Sequence, residues 1–104
     1  MNAMEERGGK QMIIEVSDKL KERTIEFCDD ELNYHIGESY CANEYHTEIL
    51  AEIEILFLLG EKEKALEYAK LYQEYSKKEF YVTERLNKEE RKEIRNLIRM
   101  MEKG

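Results

Sequence analysis

Apolar positions recur along this chain at steps of three and four, the spacing that lines one face of an α-helix. The pattern is sharpest between Thr47 and Tyr75, where two such faces flank a single glycine. Before Gly60 the face comprises Ala42, Tyr45, Ile49, Ile53, Leu56 and Phe57. After it come Ala65, Ala69, Tyr72 and Ser76, flanked by Leu66 and Tyr68. Gly60 stands where the earlier helix must stop, because a residue without Cβ takes the left-handed conformation that closes a helix end. Helices joined by so short a turn fold back on each other.

The same spacing predicts two further helices. The first runs from Met12 or Ser17 to Ile36, with Ser17-Asp18 as a start signal if the preceding MIIEV is extended. Its apolar face combines Ile13, Val16, Leu20, Thr24, Phe27, Cys28 and His35, widened by Ile25 and Leu32. Glu31 shares that face, and Gly37 is read as the stop. The second helix then spans Glu38 to Leu59, and the third runs from Lys62 to at least Lys78. Phe80–Thr83 suits either continued helix or an extended connector. The last helix, Lys88 to Lys103, opens with Asn87 and Glu90 in capping-box register and turns Ile94, Leu97, Ile98 and Met101 inward. The expected fold is all-α, a small antiparallel bundle of about four helices. Residues 1–11, interrupted by Gly8-Gly9, read as a flexible N-terminal tail and residues 12–104 as a single helical domain.

Composition agrees with this pattern: proline and tryptophan are absent, and 41% of residues are hydrophobic, enough to fold despite 39% charged. No apolar run is long enough to span a bilayer, and the first residues lack the apolar core of a secretory signal. Two cysteines without a disulfide-scaffold pattern point to a cytoplasmic setting.

The net charge of −7 is unevenly spread. Ten acidic residues and no Lys or Arg lie between Thr24 and Glu61, while twelve Lys or Arg and nine Glu follow from Lys62 onward. A block of that sign argues against nucleic acid or anionic membrane as partner, since phosphate binding needs Lys and Arg. Glu44, Glu48 and Glu52 form a ladder on the expected outer face of the second helix. It reads as a solvated face or as a docking strip for a basic partner. Tyr68, Tyr72 and Tyr75 line one side of the third helix as core aromatics or as an interface strip.

Cys28, His35, Cys41 and His46, all the cysteines and histidines of the chain, fall within 19 residues. This is the donor set of a tetrahedral zinc site, but it lacks the close pairs of recognisable zinc motifs. The competing reading makes Cys28 a small core residue and the two histidines hydrogen-bonded residues of the core or its edge. Glu31 and Glu44 stand four and two residues before His35 and His46, not the three that a bundle di-metal site requires. No nucleophile occupies a recognisable catalytic setting, so no enzyme is expected.

Residues 46–76 resemble a single tetratricopeptide-type unit. Gly60 and Ala65 match that family's Gly and Ala, and Leu56 supplies the large residue one turn earlier. Ala69, Tyr72 and Lys77 depart from it, standing where the family has an aromatic, a small residue and a proline. No second copy follows at the repeat length. The functional expectation is a non-enzymatic acidic interaction or regulatory module of the immunity, inhibitor or chaperone kind. Its partner would be a basic or helical protein, or a second copy whose basic last helix meets the acidic hairpin. The alternative is a metal-binding helical protein using the Cys/His cluster.

Overall fold

A computed structural model describes residues 17–38, 42–77 and 86–104. They form an all-α bundle of four helices: α1 (Asp18–Leu32), α2 (Ala42–Leu58), α3 (Lys62–Ser76) and α4 (Lys88–Lys103). A π-helical segment, Asn33–Glu38, extends α1. The expected tail, Ile13, Val16, Cys41 and the Phe80–Thr83 segment lie outside the described residues.

The helix ends follow from local chemistry. Ser17 begins α1 with its hydroxyl accepting the Leu20 N–H at 3.2 Å. Asn87 and Glu90 exchange side-chain and backbone bonds at 2.8 and 2.9 Å, a complete capping box. At the α2–α3 turn the Glu61 N–H reaches the Leu56 carbonyl (2.9 Å) and the Gly60 N–H reaches that of Phe57 (3.1 Å), the paired bonds of a Schellman closure. Gly60 sits at φ +94°, so the glycine is required by backbone geometry.

The core gathers the predicted faces of three helices. Ile49, Ile53 and Leu56 of α2, Ala65, Ala69 and Tyr72 of α3, and Ile94, Leu97, Ile98 and Met101 of α4 are buried with Leu86. Ser76 is buried as well, completing the predicted α3 face. α3 lies against both α2 and α4, whereas α1 rests on α2 and hardly meets α3.

The first helix departs from expectation. Gly37 does not stop the first helix; the chain passes through it in π-helical form, with Ile36 fully buried. On α1 only Cys28 and Leu32 are buried, while Leu20 and Phe27 of the expected apolar face are more than half exposed. α3 is described as Lys62–Ser76 with Lys77 as its C-cap, and the expected Lys78 lies outside the described residues.

Candidate functional site

The predicted partner-binding residues separate. Glu44 and Glu48 are exposed, as expected of an outer ladder, but Glu52 is only 9% exposed. Tyr45 takes non-helical angles (φ −116°, ψ 22°) and kinks the helix between Glu44 and Glu48, so the three carboxylates are not one straight row. Glu52 stands three residues after Ile49 and four before Leu56, the spacing of a shared face. That spacing was the available signal for its burial. Burial, reinforced by the charges of Glu31 and Glu48, raises its carboxyl to a pKa of about 7, and its Oε1 has no hydrogen-bond partner.

The tyrosines also part ways. Tyr72 is completely buried, the position of a core aromatic, whereas Tyr68 and Tyr75 are half-buried. The Tyr72 hydroxyl lies 2.7 Å from His46 Nδ1, and His46 Nε2 lies 2.8 Å from Glu93 Oε1. The Glu93 carboxylate accepts from Nε2, and Nδ1 shares a hydrogen bond with the Tyr72 hydroxyl. This phenol–imidazole–carboxylate chain joins α3, α2 and α4 across a buried ring only 6% exposed.

The Cys/His set is dispersed in role. Both ring nitrogens of His46 are engaged in hydrogen bonds. His35 stacks on Tyr45 (centroids 4.3 Å apart) and meets the edge of Tyr34, its Nε2 3.4 Å from Glu31 Oε1. Cys28 is free and 1% exposed, its thiol pushed up by burial first and then by the charges of Glu52, Asp29 and Glu31. Among the described residues no three His, Cys, Asp or Glu side chains are gathered to hold a metal ion.

The principal surface feature is one the sequence did not indicate. Where α1 and α3 fail to close on each other, an open groove of about 830 Å³ runs between them. Glu26, Asp29 and Asp30 line it from α1, and Glu67, Tyr68 and Leu71 from α3. One polar clamp spans it: Asp29 accepts from Lys64 Nζ through Oδ2 and from the Tyr68 hydroxyl through Oδ1, both at 2.8 Å. That clamp consumes the charge of Lys64, whose ammonium is held further toward protonation by the Asp29 bond. Burial, then the bond to Asp29, raises the Tyr68 phenol. Leu71, 42% exposed, supplies apolar surface between the acids. The i, i+4 register of Glu67 with Leu71 was visible in the sequence; the opposing wall depended on the placement of α1.

Comparison with protein-family models, curated proteins and solved structures yields no match for this chain.

Proposed function

We propose that the chain is a non-enzymatic protein-interaction module, acidic and regulatory in character, that receives a basic helical segment of a partner protein in the α1–α3 groove. The observation that carries this reading is the groove itself: an unclosed seam between two helices, walled by carboxylates and holding an exposed leucine. Five of its lining residues are acidic and two are lysines, of which Lys64 is committed to Asp29 and Lys70 approaches Glu102 at 3.4 Å. A partner helix bearing Lys or Arg beside apolar residues finds opposite charge on both walls and an apolar contact at Leu71. The acidic walls steer the encounter, and the apolar contact slows departure. No described helix is long and apolar enough to cross a membrane. The free, buried Cys28 suits the reducing conditions of a cytoplasmic setting.

The test is an amide-resolved NMR titration with a Leu/Lys amphipathic peptide, paired with Asp30→Lys and Glu67→Lys. Shifts should concentrate at Glu26, Asp30, Glu67 and Leu71, and the double charge reversal should slow association by roughly tenfold at low salt. Shifts centred instead on Glu44 and Glu48 would move the docking strip to the exposed end of the α2 ladder. Silence at both surfaces would end the interaction reading. A photo-crosslinker at Leu71 in native cells then identifies the partner, a second copy docking through Arg91, Lys92, Arg95 and Arg99 included.

A further inference from the structure

The seam between α1 and α2 contains an arrangement that the groove does not use. Glu52 is nine-tenths buried with one carboxyl oxygen unpartnered, and His35, buried to a similar degree, has an unpartnered Nδ1. The groups facing Glu52 are Glu31 and Cys28 on α1 and Glu48 on its own helix; His35 enters only through Glu31. Among the described residues no charge from α3 or α4 acts on it. A buried carboxyl surrounded by other acids, and lacking a cation, is tolerated in its neutral form and strongly disfavoured when ionised.

What Glu52 can displace is also apparent. α1 is the most weakly held helix of the bundle: Cys28 and Leu32 are its only fully buried residues, and its first turns are exposed. Its bridge to α3 centres on the Asp29 clamp, and the Asp29–Lys64 pair within it is partly exposed and adds little. Relief for an ionised Glu52 is water, and water reaches it when α1 separates from α2.

We propose that Glu52 is a proton-operated latch: with its carboxyl protonated α1 is seated on α2, and on losing that proton α1 lifts away. The direction is fixed by the chemistry. Acid conditions close the latch and mildly alkaline conditions open it. Since α1 forms one wall of the groove, docking there becomes pH-dependent. That consequence rests on the groove reading, whereas the movement of α1 does not.

Hydrogen exchange of the whole chain tests it without any ligand. After correction for the intrinsic pH dependence of exchange, amides of residues 25–32 should lose protection by about tenfold or more between about pH 5 and about pH 8. Amides of α3 and α4 should hold steady, and Glu52→Gln should remove the pH dependence. Unchanging α1 protection, an equal loss in every helix, or the same pH dependence in Glu52→Gln overturns the latch. Should that variant fail to fold, the ¹³C carboxyl titration of Glu52 in the native chain decides. A midpoint near neutrality supports the latch, and one below about pH 5.5 refutes it. Because the readout is exchange, a groove that binds nothing leaves this result intact, and a fixed α1 leaves the groove reading intact.

Discussion

His46 and Glu52 lie on the same helix and are buried almost equally, 6% and 9% exposed, yet they are opposite in kind. His46 has a partner for each ring nitrogen, drawn from two other helices. Glu52 has an oxygen with none and faces only further acids and a thiol. Both are polar intrusions into an apolar seam. The difference is satisfaction: a polar group with its bonds made fixes how helices pack, while one without them makes the packing conditional on its charge. The α2–α3–α4 side of the molecule is therefore pinned, and the α1–α2 side is adjustable.

Three measurements can break that contrast, beginning with the largest effect. Glu52 has a folded-state pKa of about 7 against an ordinary value of 4.5, so its protonated form is favoured by folding. The stability this confers is complete below about pH 4.5 and lost as pH rises to about 7, amounting to up to roughly 3 kcal/mol. Urea unfolding across that interval should show the decline in the native chain and a shallower one in Glu52→Gln; parallel curves would mean that the burial of Glu52 is inconsequential. Next, Tyr72→Phe removes the hydroxyl that the buried His46 Nδ1 is bonded to and should cost about 2 kcal/mol, read as a shift in urea midpoint. A neutral result would make the pinned side no more satisfied than the other. Smallest, Glu93→Gln retains an acceptor for Nε2 on a side chain that is 59% exposed. It should cost less than about 1 kcal/mol in thermal unfolding, and a larger loss would show that the carboxylate charge is essential to the network.

How far these features could be read from the sequence depended on how local their causes are. The Gly60 turn, the Asn87–Glu90 box and the inward faces of α3 and α4 were all legible, because each is decided by residues within one or two turns. Glu52 was misplaced because i, i+4 spacing with Glu44 and Glu48 suggested one outward row, which ignored its equal kinship with Ile49 and Leu56 and the kink at Tyr45. Gly37 looked like a stop because glycine favours helix ends, but Asn33–Glu38 took the wider π-helical path, with His35 and Ile36 buried. The partners of His46 lie 26 and 47 residues away, a separation that no periodicity encodes. The groove was least legible of all. It is a space left by two helices that are bridged at Asp29 but do not pack closely, and only the three-dimensional arrangement reveals it.

The closure at Gly60 also bears on how the chain reaches its fold. Only a few residues separate α2 from α3, so the encounter of their apolar faces closes a very short loop. Contacts of such low sequence separation form at little entropic cost and favour rapid folding. The α2–α3 hairpin is thus the natural nucleus. α4 has a far longer segment to traverse before it can dock on α3, and α1, resting chiefly on α2, needs that surface already assembled. A single glycine at φ +94° thereby shortens the loop that the first tertiary contacts must close, as well as ending a helix.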